Sequence, residues 1–311
     1  AVLLFLTFFF IVPTVYASVF DEEDFLVETL WRKAEIVLKE KRPKIALVLG
    51  GGGARGISYI GVLRVLQEER IPIDLVIGTS IGSIVGAFYC AGVSVENLEN
   101  LARDICWEDI SNFSYVSLIS MFLSENLFSN ERLEKFISEN IGEINFNQLQ
   151  TPLVCVATDL NTGERILLKE GSVGFAARAS AAIPGVFKPV EYRQRYLVDG
   201  GLAENIPVNV AKIFDADIII AVFAATDISK NNVDNVFATL MQAIYIQGRA
   251  LDRNNLAMAD VIISPDVGEV SVIDFKDAYK MIDKGFIAAK KSMKKIKMTI
   301  ISKMMENSLL E

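Results

Sequence analysis

Three short motifs contain residue types that could carry out chemistry, and each follows a predicted strand. Residues 50–56 (GGGGARG) combine bare backbone amides with one arginine. Residues 78–82 (GTSIG) place a serine between glycines, and residues 199–201 (DGG) place an aspartate before two glycines. Together they supply a nucleophile, a proton acceptor and backbone donors for an oxyanion, which are the parts needed for acyl transfer through a covalent intermediate.

The glycine loop has several conceivable uses. It contains the pattern GxGxxG at Gly51, Gly53 and Gly56, which also occurs in dinucleotide-binding loops. Those loops need an acidic residue at the end of the next strand, whereas Asp74 lies before that strand. A Walker loop is excluded because no Gly-Lys-Ser/Thr follows. The use that remains is an oxyanion hole, since glycines let the backbone approach a tetrahedral intermediate.

Ser80 lies between a predicted strand and an apolar helix, which is the context of a nucleophile elbow. Gly78 and Gly82 flank it because side chains would clash in so tight a turn. At a helix N-terminus the dipole favours developing negative charge. The alternative interpretation is an ordinary N-cap serine.

The proton acceptor must be something other than imidazole. The chain contains no histidine, which excludes Ser-His-Asp and Cys-His mechanisms and zinc sites built on imidazole. Asp199 follows the predicted strand 196–198, and an aspartate before two glycines is usually only part of a turn. Beside an elbow serine and a glycine loop, however, it is the best candidate for the base.

The elements around these motifs predict an α/β fold. Residues 44–90 alternate strand, helix, strand, helix, which is typical of a three-layer α/β/α architecture with a mostly parallel central sheet. Strands are predicted at residues 44–49, 75–77, 153–157, 165–168, 196–198, 218–223 and 261–263. Helices are predicted at residues 21–42, 57–69, 81–90, 173–182, 233–259 and 275–305, and residues 95–149 are predicted to be mainly helical.

The flanks of the chain differ from its body. Residues 1–17 begin with an apolar run too short for a comfortable bilayer span, and Val15 and Ala17 fit a signal-peptidase site. We expect residues 1–17 to be a signal peptide or a membrane segment, and residues 18–43 a helical extension. The predicted catalytic domain comprises residues 44–264, and residues 265–311 are predicted to form a helical tail. The protein is then exported or membrane-associated, or cytoplasmic if the leader is not used.

Composition narrows the function classes. The 311 residues are 51% hydrophobic, which excludes disorder, and 31 basic against 39 acidic residues give a net charge of −8. An acidic body argues against nucleic-acid binding. The three cysteines (Cys90, Cys106 and Cys155) form no CxxC pair, so a disulfide framework is not expected. No metal cluster or cofactor motif is found, so neither a metal nor a cofactor is predicted.

Two further stretches each allow two interpretations. Bulky apolar residues between 107 and 128 either belong to the core or line an acyl-chain pocket or lid. The basic stretch 290–298 either lies on an anionic membrane surface or is a solvated helix face. The bulky apolar residues are Trp107, Phe113, Tyr115, Met121, Phe122, Leu123, Leu127 and Phe128.

The ordered motifs, with ASAAIPGVFKPV at residues 179–190, resemble those of the patatin-like phospholipases, in particular the compact bacterial members. The resemblance covers residues 45–264. It implies a patatin-like fold with a Ser-Asp dyad, in which Ser80 is the nucleophile and Asp199 the base. The oxyanion hole would consist of backbone amides of Gly51, Gly52, Gly53 and Ala54.

The resemblance also includes residues next to these motifs. Arg55 matches a basic position of the family, and it either orients the loop, meets a phosphate or forms a structural ion pair. Gly56 and Gly200 complete their motifs. Asn205 and Pro207 match the segment after DGG, where a helix cap and a first-turn proline are the simpler roles.

The implied activity is hydrolysis of acyl esters of phospholipids or lysophospholipids. The alternatives are a thioesterase or acyltransferase that uses the same dyad, and a catalytically dead lipid-binding protein. The expected partner is a lipid substrate, and the sequence does not determine the oligomeric state. Because a free aspartate has a pKa near about 3.9, the dyad predicts no titration of histidine type near about pH 6.5 unless Asp199 is strongly perturbed.

Overall fold

The computed structural model describes residues 22–37, 42–104, 129–224, 236–268 and 278–309. The predicted leader, 1–17, lies outside these residues. So do Cys106 and the bulky apolar residues of the 107–128 stretch, so that their proposed role in an acyl pocket stays a prediction.

One eight-stranded sheet forms the centre of the fold. The strand order is β5-β6-β3-β2-β1-β7-β8, and β4 also pairs with β3. The pairs β1–β2, β1–β7, β2–β3 and β7–β8 are parallel, whereas β3–β4, β3–β6 and β5–β6 are antiparallel. The strands are β1 (Ile45–Leu49), β2 (Leu75–Thr79), β3 (Leu153–Asp159), β4 (Arg165–Leu168), β5 (Val190–Tyr192), β6 (Arg195–Asp199), β7 (Ile218–Val222) and β8 (Val261–Ile263).

Helices flank this sheet. They are α1 (Glu22–Val37), α2 (Ser58–Glu68), α3 (Ile81–Cys90), α4 (Val95–Asp104), α5 (Glu131–Ile141), α6 (Val173–Ser180), α7 (Gly201–Glu204), α8 (Val208–Ile213), α9 (Val236–Leu256) and α10 (Met281–Leu309). Short 3₁₀ helices occur at Gly53–Ile57, Phe146–Gln148 and Ala278–Lys280. None of the helices within the described ranges combines the length and the apolar character needed to cross a membrane.

Both faces of the sheet are covered, as the continuous apolar strands predict. On one face, Ala46, Val48 and Ile77 form a buried cluster with Val208 and Ala211 of α8. Successive residues of a strand point to opposite faces, so their neighbours in β1 and β2 face the other layer.

Helix α3 packs on the opposite face of the sheet. It can lie close to the sheet because Gly86 has no side chain, and an added Cβ there would come within 3.1 Å of Val76 and 3.9 Å of Leu49. The predicted α/β fold, with helices on both faces of a mostly parallel sheet, is therefore confirmed.

The chain divides into two compact units. Lys44–Ser292 contains the whole sheet, and Ala1–Pro43 together with Met293–Glu311 forms the other. Within the smaller unit, the buried ammonium of Lys297 pairs with Glu28 of α1 at 2.7 Å. The same ammonium lies 5.8 Å from the centre of the Trp31 ring.

Several lysines of the basic stretch 290–298 form ion pairs. Besides Lys297, Lys294 pairs with Asp24 at 2.7 Å, and Lys290 pairs with Glu69 at 2.7 Å. Ion pairs between partly exposed side chains contribute little stability and leave the lysines charged. Contact of this stretch with an anionic membrane surface stays a prediction.

Candidate active site

Ser80 occupies a strained turn between β2 and α3. Its φ and ψ are 54° and −124°, an unusual conformation for a residue other than glycine. A Cβ on Gly78 would lie 2.5 Å from the Gly82 carbonyl oxygen, and one on Gly82 would overlap the backbone of Leu49. The glycines thus permit the sharp strand-to-helix turn of a nucleophile elbow.

The hydroxyl of Ser80 is aimed at Asp199. Ser80 Oγ donates to Asp199 Oδ2 at 2.5 Å, and the serine side chain makes no cap bond to its own helix. The other carboxylate oxygen, Oδ1, accepts the N–H of Gly201 at 2.8 Å. The structure therefore brings together the two residues predicted as nucleophile and base. Ser80 does occupy the N-cap position of α3, but its side chain does not cap the helix.

Burial changes the basicity of the carboxylate. Asp199 is only 8% exposed, and desolvation raises its pKa to about 6, against the opposing effect of the hydrogen bonds from Ser80 and Gly201. The expectation of no titration of histidine type near about pH 6.5 applied to an Asp199 with an ordinary pKa. The fold removes Asp199 from water, which is the strong perturbation that this expectation excepted.

The glycine loop lies beside Ser80, but not all of its amides are free. The N–H of Gly50 donates to the Val222 carbonyl at 2.9 Å, and the N–H of Gly51 donates to the Asn205 carbonyl at 3.1 Å. We therefore correct the predicted oxyanion hole: Gly51 is already engaged, and the predicted donors that remain are those of Gly52, Gly53 and Ala54.

The backbone of this loop explains its glycines. Gly53 has a φ of +56°, which a side chain would disfavour. A Cβ on Gly51 would lie 3.4 Å from Cβ of Ser80 and would overlap the side-chain oxygen of Asn205. Gly51 therefore fills the narrow space between the nucleophile and Asn205.

Arg55 lies in the 3₁₀ turn Gly53–Ile57, which forms the second half of the glycine loop. It is buried, and desolvation lowers the pKa of its guanidinium while the nearby hydroxyls of Tyr245 and Tyr59 act in the opposite direction. Tyr245 also lies close enough to Asp199 for the carboxylate to raise the pKa of its phenol, although burial is the larger cause. Contact between Arg55 and a substrate phosphate stays a prediction.

Sequence reasoning assigned no functional role to Ser180. This serine is completely buried at the end of α6, and its Oγ accepts the backbone N–H of Ser80 at 2.9 Å. The signal that could have found it is its place in the segment 179–190, which contributed to the family resemblance.

A second buried aspartate also escaped sequence reasoning. Asp252 of α9 accepts a hydrogen bond from Asn205 Nδ2 at 3.2 Å, and burial raises its pKa to about 6. Its Oδ1 atom is buried and has no hydrogen-bond partner among the described residues. Asn205 directly follows α7 as its C-cap, which agrees with the predicted role of a helix cap. Pro207 directly precedes α8 and therefore lies just outside the first turn in which it was predicted.

The geometry does not support a dinucleotide site at the glycine loop. Asp74 lies at the start of β2, where its carboxylate accepts the Ile45 N–H at 2.8 Å, far from the ribose position of a dinucleotide site. In the parts of the chain that the structure covers, no group of three or more His, Cys, Asp or Glu side chains could hold a metal ion.

The two cysteines within the described ranges are free. Cys90 and Cys155 are both buried and form no disulfide, as predicted for small core residues.

Comparisons with known proteins agree with the arrangement of motifs. A family model described as patatin-like phospholipase matches residues 47–212. An uncharacterized NTE family protein of Mycobacterium tuberculosis is 28% identical over 274 residues, which cover 80% of this chain and 46% of that protein. Patatin-like phospholipase domain-containing protein 6 of Mus musculus is 34% identical over 181 residues, covering 57% of this chain and 13% of that protein.

Among solved structures, VipD from Legionella pneumophila aligns with a TM-score of 0.48 and 15% identity, covering 80% of this chain and 66% of that chain. The chain spans about half the length of the first curated relatives that it matches, so those proteins contain further regions. The family model, by contrast, matches just over half of this chain and includes both Ser80 and Asp199. The chain therefore belongs to the patatin-like phospholipase family.

Proposed function

We propose that the chain is a serine acyl hydrolase that cleaves acyl esters of phospholipids or lysophospholipids. The observation that carries the proposal is the 2.5 Å hydrogen bond from Ser80 Oγ to Asp199 Oδ2, made from a strained elbow. Membership of the patatin-like phospholipase family supports a lipid ester as the substrate.

In the proposed first step, Ser80 Oγ attacks the ester carbonyl carbon while its proton passes to Asp199 Oδ2. The carbonyl oxygen becomes an oxyanion, and the predicted donors for it are the backbone amides of Gly52, Gly53 and Ala54. Losing one such donor typically costs about 10²–10³-fold in kcat. Collapse of this intermediate breaks the ester bond, and the alcohol leaves with the proton held by Asp199.

In the second step, water attacks the acyl-serine and Asp199 accepts its proton. The second tetrahedral intermediate releases the fatty acid, and the proton returns to Ser80 Oγ. A pKa of about 6 suits both steps, because the carboxylate is mostly ionised at neutral pH yet more basic than an exposed aspartate.

Every catalytic group in this scheme belongs to the protein, so we expect EDTA to leave the activity unchanged. Loss of activity in EDTA that calcium restores would count against the mechanism. The other partner that the sequence allows, a membrane surface, plays no part in this scheme.

The test is hydrolysis by the full chain of a short p-nitrophenyl ester, a lysophospholipid and phospholipid vesicles, with an acyl thioester in parallel. Ser80→Ala removes the nucleophile, and Ser292→Ala, a serine within α10, serves as the matched control. We expect wild type and Ser292→Ala to turn over the lipid esters and Ser80→Ala to lose at least about 10³-fold, since the covalent step is removed.

A fluorophosphonate probe gives the second readout. Mass spectrometry of the labelled wild type should place the adduct on Ser80, and Ser80→Ala should remain unlabelled. An inert wild type, or an active Ser80→Ala, would contradict the proposal. Turnover of the thioester alone would move the assignment to a thioesterase.

A further inference from the structure

The end of helix α6 contacts the backbone of both members of the Ser-Asp pair. Ser180 Oγ accepts the Ser80 N–H at 2.9 Å, and the Ser180 carbonyl accepts the Gly200 N–H at 3.2 Å. Two residues further on, the Ala182 carbonyl accepts the Asp199 N–H at 2.9 Å. A single short segment, 180–182, thus binds the nucleophile's turn and the base's turn.

Ser180 is itself fixed to the sheet. Its hydroxyl donates to the Val156 carbonyl of β3 at 2.5 Å while accepting the Ser80 amide, and the side chain is completely buried. A hydroxyl can donate and accept at once, which an alanine in this position could not do. The elbow is therefore tied through one oxygen atom to the strand that pairs with both β2 and β6.

This connection matters because the Ser80 backbone is in an unusual conformation that its surroundings must maintain. Without the Ser180 hydroxyl, the Ser80 amide would be a buried donor without a partner, and the turn could relax to find one. A shift of about 1 Å between reacting groups can cost about 10²-fold in rate.

We propose that Ser180 is a positioning residue for the dyad: its hydroxyl holds the Ser80 elbow in the conformation that directs Oγ at Asp199. This inference rests on the proposed function. It concerns the rate of the covalent step, since Ser180 binds the backbone amide of Ser80 and forms no hydrogen bond with Ser80 Oγ or the Asp199 carboxylate.

Ser83 provides a matched control within the same cluster. It is equally buried, and its hydroxyl lies 2.8 Å from both the Gly78 carbonyl and Ser180 Oγ. Its side chain forms no hydrogen bond with the Ser80 amide. Ser83→Ala therefore removes a buried hydroxyl next to the elbow without removing the bond that the proposal depends on.

The experiment compares wild type, Ser180→Ala and Ser83→Ala by melting temperature, by kcat and KM on a p-nitrophenyl ester, and by the rate of fluorophosphonate labelling. For Ser180→Ala we expect kcat and the labelling rate to fall together by about 10–100-fold, with KM changed less than about threefold. Ser83→Ala should lose a similar amount of thermal stability and keep kcat within about threefold of wild type.

Ser180→Cys serves if the alanine variant does not fold. It keeps the size of the side chain but replaces the hydroxyl by a weaker donor and acceptor, so kcat should still fall at least about fivefold. Equal losses of kcat in Ser83→Ala and Ser180→Ala, or a folded Ser180 variant with unchanged kcat, would overturn the inference. An inert wild type would instead overturn the proposed function.

Discussion

Two buried aspartates lie close to the same glycine loop in very different surroundings. Asp199 and Asp252 are each 8% exposed, and burial raises the pKa of each to about 6. Asp199 lies at the end of strand β6 beside Ser80, whereas Asp252 lies within helix α9 and reaches the loop through Asn205. By burial and pKa alone the two carboxylates could not be told apart.

Their partners distinguish them. Asp199 accepts a hydrogen bond from a hydroxyl that can become a nucleophile once its proton is removed. Asp252 accepts one from an amide, which has no such chemistry. A raised pKa therefore marks a buried carboxylate, and only the group facing that carboxylate makes it a base.

The largest expected difference is in turnover. Asp199→Asn removes the proton acceptor and should lower kcat by about 10²–10⁴-fold, because general-base catalysis typically contributes that much. Asp252→Asn keeps an oxygen that can accept a hydrogen bond from Asn205, so its kcat should stay within about tenfold of wild type. Steady-state kinetics on a p-nitrophenyl ester, with circular dichroism to verify folding, make the measurement.

Comparable losses of kcat in Asp199→Asn and Asp252→Asn would contradict the assignment of Asp199 as the base. The base would then have to be shared between both carboxylates, or the loop would depend on Asp252 as strongly as on Asp199.

The next difference concerns pH. Below a pKa of about 6 Asp199 is protonated and cannot accept the Ser80 proton, so kcat/KM of wild type should fall as the pH drops through about 6. The slope should approach tenfold per pH unit. Asp252→Asn should show the same acid limb, since the limb belongs to Asp199.

A profile from pH 4.5 to 9 for both proteins tests this. If the limb moved or vanished in Asp252→Asn, the titrating group would be Asp252 and the comparison would be reversed.

The contrast between the two aspartates also shows what the sequence could predict. Ser80 was found because its signal is local: a buried strand, glycines and an apolar helix lie within about a dozen residues. Asp199 needed the absence of histidine as well as its own motif. The strands β1, β2, β3 and β7 were predicted correctly, because strands buried on both faces are continuous apolar runs.

What could not be predicted depends on packing between distant segments. Ser180 is 100 residues from Ser80, and Asp252 is 47 residues from Asn205, so no local pattern connects them. Strand β5 (Val190–Tyr192) was missed because a three-residue antiparallel strand is too short for a clear alternation. The engaged amide of Gly51 and the raised pKa of Asp199 arise only once the loop and the strand ends meet.

The smallest expected effect is one that the two aspartates should share. Their folded-state pKa of about 6 is above the value of about 3.9 for an aspartate in an unfolded chain, so between these values the folded state binds more protons. Each group therefore lowers the free energy of unfolding as the pH rises from about 4 to about 6, and the loss persists above that range. At about 1.4 kcal/mol per pKa unit, the loss is at most about 3 kcal/mol for each.

Replacing either carboxyl by the neutral amide should remove this loss. Asp199→Asn and Asp252→Asn should each melt a few degrees higher than wild type at pH 8, and the advantage should disappear near pH 4, where the wild-type carboxyls are protonated in both states. Asp266→Asn, a change at an exposed aspartate, is the control and should follow wild type at both pH values. If only Asp199→Asn were stabilised, Asp252 would be held charged by its surroundings. If both variants were stabilised, Asp199→Asn would gain stability and lose turnover, whereas Asp252→Asn would gain stability and keep its turnover. The hydrogen-bond partner of each carboxylate would then account for the difference in turnover.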